Sequence, residues 1–369
     1  GLADLVLPPE DMPGHLVRYA RSHRPGAPAP EAAGPGPALD KVLVLLREHT
    51  GHDFSLYKPA TIRRRLERRM VVNRIGHLDG YVELLRSDPE EVRTLYREIL
   101  IRVTSFFRDR GAFDLLAEKV IPGLCDERPP GKAIRAWVPG CATGEEAYTL
   151  ALLLRRHLDA AGLEVPVQVF ATDIDGEAVE TARSGVYPES IAADVPAEML
   201  AAYFERRGSA WQVKKAVRET LVFAVHSVVK DPPFSNLDLI SCRNLLIYMR
   251  PELQQRVLSI FRYVLVPGGW LLLGSAETTG ALDSSFETVH KGWRLYRSPG
   301  AFRRLASPLR PWQPEVPATP DTGEGAERAR TPGTEPGALK DLVRRVSEQT
   351  LLEHHESVCL TVDPEANIL

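Results

Sequence analysis

The chain has 369 residues, 44% of them hydrophobic and 26% charged, with 46 Lys/Arg against 49 Asp/Glu for a net charge of −3. At roughly 150 residues per domain this length predicts two to three domains with real cores, which excludes a peptide-sized or disulfide-stapled scaffold. The near-neutral balance excludes a chain drawn to nucleic acid or anionic lipid by bulk charge, so any basic patch is local.

In chain order, the opening residues lead into Pro25–Pro37, which carries five prolines and three glycines and no large apolar side chain. Such a composition buries too little surface to offset its ordering entropy and reads as a linker. The next third reads helical. Leu39, Val42, Leu43 and Leu46 recur at three- and four-residue spacing, as do Tyr81, Leu84 and Leu85, and then Val92, Leu95 and Ile99. Asp79, Asp88 and Asp109 are expected N-caps, with Pro89 at a first helical position. Between them, Lys58–Arg74 holds seven Lys/Arg against Glu67 alone, a local charge of +6. Arg64, Arg65, Arg68 and Arg69 recur at helical spacing and are expected on one broad face. That face is either solvated or a docking surface for an acidic partner. A nucleic-acid footprint ranks behind both, because no aromatic platform is interleaved.

After Pro130 the texture becomes short β-type runs alternating with helical ones: AIRAWV then Glu145–Leu158, VPVQVFAT then Glu177–Ser184, LDLISC then Pro251–Leu265, and WLLLG at the end. This alternation predicts a mostly parallel sheet with helices on both faces, an α/β fold behind the N-terminal helical subdomain. The segment Val186–Glu219, with a basic, strand-like tail at Trp211–Arg218, interrupts the alternation as a small β insertion before LVFAV. A second proline-rich linker runs over 307–337. The four cysteines, Cys125, Cys141, Cys242 and Cys359, are far apart and form no CxxC pair, so a reducing cytosol is expected and a disulfide framework or cysteine zinc site is not. His49, His52, His354 and His355 read as surface residues, and no metal site is expected. No apolar run approaches the ~18 residues of a membrane span and no signal-peptide pattern opens the chain. The expected location is cytoplasmic. Because the chain starts at Gly1 and stops just after an apolar stretch, it reads as a piece of something longer.

Ligands on such sheets sit at the carboxyl ends of the strands, near the switch in strand order. The first strand ends in Pro139-Gly140-Cys141-Ala142-Thr143-Gly144-Glu145-Glu146, small residues that let a ligand approach the backbone. No Gly-Lys-Ser/Thr follows, and the two glutamates repel phosphate, so the turn suits a cationic or hydroxyl-bearing ligand. The second strand ends at Asp173, placed to accept hydrogen bonds from two ribose hydroxyls, with Asp175 as the cap of the next helix. A glycine turn and an acidic second strand end without a phosphate-binding lysine point to S-adenosylmethionine, whose sulfonium is positive. NAD is the competitor, but the Gly-x-Gly-x-x-Gly pattern is missing. The fourth strand runs into Cys242-Arg243-Asn244-Leu245-Leu246-Ile247-Tyr248, polar groups at the edge where catalytic side chains collect. Upstream, Asp231-Pro232-Pro233-Phe234 is similar to the base-stacking signature of amino-directed DNA methyltransferases. It precedes the strand instead of ending it, and reads as a turn set by two prolines.

The ordered set Thr104-Ser105-Phe106-Phe107-Arg108-Asp109, Thr143-Gly144-Glu145-Glu146-Ala147-Tyr148, Asp173-Ile174-Asp175 and Cys242-Arg243-Asn244-x-x-Ile247-Tyr248 resembles the CheR-type chemotaxis receptor methyltransferases, over about Leu39 to Tyr296. The resemblance implies a helical subdomain over 38–122 and a Rossmann-like S-adenosylmethionine-binding domain over 123–306. It also implies methyl transfer to glutamates on the cytoplasmic helices of chemoreceptors, giving γ-methyl esters and S-adenosylhomocysteine. Carried over by position, cofactor contacts fall on Thr104, Arg108, Glu146 and Asp173, then on Ser227 and Val228 at the adenine, and on Cys242 and Arg243. The glycine turn adds Gly140 and Glu145, and the fourth strand end adds Asn244. Arg108 and Tyr248 fall beside the transferred methyl, with Arg243 as a further candidate for steering the acceptor. Two departures from the family pattern are Arg102 and Ser227, where asparagines are common. Residues 1–24 resemble the end of a CheB-type methylesterase and 338–369 a helix and the opening of a PAS sensor, so a fragment of a hybrid signalling protein is expected. The short loop at Arg206-Arg207-Gly208-Ser209-Ala210-Trp211 lacks a Gly-x-Gly, so tethering to a receptor's C-terminal pentapeptide is not expected. Two other classes stay open: a cofactor-binding scaffold with little turnover, and a nucleic-acid methyltransferase.

Overall fold

The structure is a computed structural model that describes residues 36–126 and 128–299. The methylesterase-like segment, most of the first linker, the second linker and the PAS-like segment lie outside the described residues. Four helices open the fold: α1 (Pro37–Thr50), α2 (Pro59–Val72), α3 (Leu78–Ser87) and α4 (Pro89–Ile99). α1, α2 and α4 begin on proline, whose missing N–H costs nothing where a helix has no partner for it. Asp88 caps α4, accepting from the Glu90 N–H at 2.9 Å. Asp79 does not cap α3. His77 does, its Nδ1 accepting from the Gly80 N–H at 2.9 Å, while Asp79 lies inside the first turn. Leu39, Val42, Leu46, Ile62, Leu66, Tyr81, Leu85 and Leu95 form the core between these helices. Their burial contributes roughly 1.5–3 kcal/mol per large side chain.

One polar knot is set into this helical layer. Glu91, 6% exposed, accepts from Arg69 Nε at 2.9 Å, the Tyr81 hydroxyl at 2.6 Å and Asn73 Nδ2 at 3.1 Å. Arg69 therefore turns inward and leaves the basic face on which helical spacing had put it.

The second layer system comprises α5 (Arg110–Lys119), α6 (Ile121–Cys125), β1 (Ile134–Pro139), α7 (Glu145–Ala161), β2 (Val167–Asp173), α8 (Gly176–Ser184), β6 (Leu221–Val225), β7 (Leu237–Cys242), α11 (Pro251–Val264), β8 (Leu265–Leu273), β9 (Glu287–His290) and β10 (Leu295–Arg297). The insertion between α8 and β6 holds β3 (Val186–Pro188), α9 (Ala197–Tyr203), β4 (Phe204–Arg207), β5 (Ala210–Val213) and the short α10 (Lys215–Arg218). Its strands form a separate three-stranded antiparallel sheet, and its tail is strand only as far as Val213. The main sheet runs β6-β2-β1-β7-β8-β10-β9. β6, β2, β1, β7 and β8 are parallel, with Ala136 beside Val169 on one side and Leu239 on the other. β7 is buried at all six positions, as a strand covered on both faces must be. The antiparallel β9–β10 pair closes the far edge. Its short, polar first strand carries too little apolar signal to be read from sequence.

Three placements refine what the sequence implies. Side chains of α5 and α6, among them Phe113, Leu116 and Ile121, pack into the core shared with β1 and α7. Asp109 starts α5 but caps nothing, because it adopts a left-handed φ of 57° and its carboxylate is taken by Arg243. Phe234 of the Asp-Pro-Pro-Phe stretch stacks on Phe170 with ring centroids 4.2 Å apart, so this turn fills core.

Candidate active site

Chain order reverses between β2 and β7 on either side of β1, which opens a crevice at the carboxyl ends of these strands. Beyond β1 the backbone makes a left-handed turn, with φ of 70° at Gly140, 47° at Ala142 and 97° at Gly144. Gly144 must be glycine, because a Cβ there would lie 2.8 Å from that of Ala182 and 3.1 Å from the Tyr187 hydroxyl. The turn is fixed by Asp173 at the tip of β2. Its Oδ2 accepts from the Ala142 N–H at 2.8 Å and its Oδ1 from the Asp175 N–H at 3.0 Å. A carboxylate offers about four acceptor sites, so capacity remains for a ligand in the crevice. Burial raises the Asp173 pKa, opposed by these backbone donors. Asp175 caps α8 as expected, accepting from the Glu177 and Ala178 N–H groups at 3.1 and 3.2 Å. It also accepts from Arg102 Nη2 at 2.9 Å, tying the segment after α4 to the start of α8.

The crevice is a narrow cleft open to solvent. Of the residues expected from sequence, Gly140, Asp173, Asn244 and Tyr248 line it. The opposite wall was missed. Tyr57, two residues before α2, and Thr61, in its first turn, line the crevice together with Ile101 and Arg102. Tyr57 is pushed up to about 12 by burial and by the charge of Asp173. Nothing in the local spacing of Tyr57 or Thr61 marks them, because they reach the site only through the packing of the helical layer on the sheet.

Behind the crevice lies a charged cluster. Glu146 Oε1 accepts from the Ser241 hydroxyl at 2.7 Å, and its Oε2 is 3.7 Å from Arg243 Nη1. Desolvation raises the Glu146 carboxyl to about 7, against the pull of Arg243 and, more weakly, of Arg108. The Arg243 side chain is 1% exposed, donates from Nη2 to Asp109 at 2.7 Å and lies over the Phe113 ring at 4.9 Å. Among the described residues its Nε and Nη1 have no hydrogen-bond partner. Arg243 is thus enclosed between two acids and a ring, not free at the surface to steer a docking carboxylate. Glu145 folds back on the turn and accepts from the Thr143 hydroxyl at 2.7 Å.

The remaining expected contacts are less exposed. Cys242 is fully buried, its thiol raised well above the ordinary range by desolvation, so only its backbone is offered. Ser227 and Val228, beyond β6, are each 8% exposed. The Ser227 N–H is held by Asp231 at 2.7 Å, and Val228 packs in the core with Phe170. Thr104 and Arg108 are half-buried in the irregular segment before α5, and Arg108 Nη1 donates to the Val103 carbonyl at 2.8 Å. The lining suits a hydroxyl-bearing ligand, with Asp173 among its residues, while Glu146 and the unpartnered Nε and Nη1 of Arg243 form a buried charged pair outside that lining that suits a zwitterionic group.

Comparison with known proteins agrees with this chemistry. Residues 37–100 match the family described as "CheR methyltransferase, all-alpha domain" and residues 102–295 match "CheR methyltransferase, SAM binding domain". Over 270 residues, 72% of this chain, the sequence is 43% identical to an uncharacterized 104.1 kDa protein in the hypE 3' region of Rhodobacter capsulatus, and the match spans 28% of that longer protein. It is 30% identical over 256 residues to the putative methyltransferase Cher3 of Pseudomonas putida, covering 67% of this chain and 91% of the relative. It is 28% identical over 247 residues to the chemotaxis protein methyltransferase of Borreliella burgdorferi, covering 65% and 87%.

Proposed function

The chain belongs to the CheR methyltransferase family, and on that premise we propose that it methylates glutamate side chains of chemoreceptors as γ-methyl esters. S-adenosylmethionine is its cofactor and, when bound, supplies a methyl activated by a positively charged sulfur. The observation that carries the proposal is the pairing across one crevice of Asp173 at the tip of β2 with Tyr248 and Asn244 beyond β7. Asp173 accepts the ribose hydroxyls with its free lone pairs. Glu146, largely buried and with its carboxyl raised to about 7, would receive the amino group of the methionine portion, and Arg243 and Arg108 would take its carboxylate. Gly140 and Glu145 shape the floor, Thr104 closes the near side, and Ser227 and Val228 flank the adenine.

An acceptor glutamate with an ordinary pKa near 4.3 is ionised at neutral pH, so no general base is needed. What the chain must provide is alignment and exclusion of water. Tyr248 orients the acceptor carboxylate by a hydrogen bond, and the Tyr57–Thr61 wall covers the site. The exposed cations at and within α2, Lys58 just before its first residue and Arg64 inside it, dock an acidic receptor helix, an attraction that salt weakens. Docking is independent of a C-terminal pentapeptide, since the β4–β5 turn is a tight one at Gly208. Among the described residues no helix is long and apolar enough to cross a membrane.

The test is incubation with receptor-bearing membranes and cofactor labelled on the methyl. Base-labile label released as methanol supports ester formation. Absence of label would favour the scaffold reading, and alkali-stable label would favour nucleic-acid methylation.

A further inference from the structure

The turn that carries Asn244 and Tyr248 is held by a residue the mechanism above does not use. β7 ends at Cys242, Asn244 takes a left-handed φ of 60°, and Leu246–Tyr248 form a single 3-10 turn. Glu277, just beyond the end of β8, is 3% exposed and points into this turn. Its Oε1 accepts from the Leu246 N–H at 2.7 Å and the Ile247 N–H at 3.3 Å. Its Oε2 accepts from the Asn244 N–H at 3.0 Å and the Gly274 N–H at 2.7 Å. One carboxylate thus collects four backbone amides, three of them from the segment that ends at Tyr248. A Cβ on Gly274 would lie 2.7 Å from Glu277 Oε2 and 2.9 Å from the Asn244 nitrogen, so the close approach requires glycine there. The far end of the same turn is pinned to the helical layer: the Tyr248 carbonyl accepts from the Lys58 N–H at 2.9 Å, and the Arg250 N–H donates to the Leu56 carbonyl at 2.8 Å.

We propose that Glu277 is a positioning residue for methyl transfer, the internal anion around which the Asn244–Tyr248 turn is wrapped so that both side chains face the crevice. The inference rests on the reading that Tyr248 lies beside the reacting methyl. Buried backbone N–H groups demand acceptors, and a carboxylate satisfies several at once where a neutral side chain does not. Glu277→Gln keeps the size but turns an NH2 group toward two N–H donors, which forces the turn to shift.

The experiment is a double-mutant cycle with Tyr248→Phe, scored by kcat and by the KM for S-adenosylmethionine. Expected is a fall in kcat of about thirtyfold for Glu277→Gln in the wild-type background with KM changed less than about fivefold, and less than about threefold further loss on top of Tyr248→Phe. Equal fold-losses in both backgrounds, or an unimpaired Glu277→Gln protein, would overturn the inference while leaving the site reading intact. A Tyr248→Phe protein with the wild-type rate would sink the site reading, and the inference with it. Should Glu277→Gln not fold, Gly274→Ala displaces the same carboxylate without removing its charge and must show the same non-additivity. In the wild-type protein, the amides of Asn244, Leu246 and Ile247 must exchange slowly with solvent deuterium. Fast exchange at all three contradicts the proposal.

Discussion

Replacing Asp173 by asparagine separates the backbone hydrogen bonds its carboxylate makes from the ribose contact proposed for it. Its oxygens hold the Ala142 and Asp175 N–H groups at 2.8 and 3.0 Å, and its remaining lone pairs face the crevice. Asparagine keeps one acceptor oxygen and presents an NH2 to the second N–H, leaving a poorly solvated donor unpaired at a cost of about 1–3 kcal/mol in stability. The ribose loses hydrogen bonds to a charged acceptor, worth about 1.5–3 kcal/mol, which corresponds to roughly a 10- to 150-fold rise in Kd. Titration calorimetry with S-adenosylhomocysteine measures the second effect, and urea denaturation without ligand measures the first. Glu91→Gln is the control, because it acts in the helical layer and is expected to lower stability alone. If Asp173→Asn binds the nucleoside within threefold of wild type, the assignment of the ribose to the tip of β2 is wrong.

Glu146 gives a pH signature. Its carboxyl is raised from an ordinary 4.5 to about 7, so the folded state holds a proton that the unfolded state has already lost. Stability is full below pH 4.5, falls as pH rises toward 7 and levels off above, and Glu146→Gln flattens that slope in thermal melts between pH 5 and 8. Affinity for S-adenosylhomocysteine is expected to move the opposite way, rising from pH 6 to 8 as the carboxylate proposed to pair with the amino group ionises, with the same variant abolishing the trend. In the helical layer, removing the Glu91 charge leaves Arg69, 13% exposed, without its principal partner. Glu91→Gln is expected to cost about 3 kcal/mol in urea denaturation, and a loss under 1 kcal/mol contradicts the buried-pair reading. On the surface, Lys58→Glu with Arg64→Glu is expected to raise the KM for receptor about tenfold at low salt, with the difference fading as ionic strength rises and nucleoside affinity unchanged. An unchanged receptor KM would remove α2 from the docking surface.

Local signals carried most of the architecture. The apolar spacing of Leu39–Leu46 and Val92–Ile99, the prolines at helix starts and the alternation from Ile134 to Leu273 correspond to elements that form where expected. The glycine turn, Asp173 and the Arg243–Tyr248 segment were legible because they sit at strand ends, where an α/β sheet concentrates its ligand groups. What was hidden is what tertiary packing decides. Arg69 has the spacing of a surface arginine, but the pull of Glu91 turns it inward. Asp109 has the sequence of a cap, yet it spends its carboxylate on Arg243 across 134 residues of chain. Tyr57, Thr61 and Glu277 act on the site from distant segments, and no periodicity within their own neighbourhoods encodes that contact.

The methyl donor is proposed to sit in this crevice, between the tip of β2 and the turn beyond β7. A crystal of the chain grown with S-adenosylhomocysteine tests it most directly. Both ribose hydroxyls are expected on the Asp173 carboxylate, with the sulfur turned toward the Tyr248 side chain. Nucleoside density elsewhere on the protein, or in the crevice with its sugar away from Asp173, would contradict it.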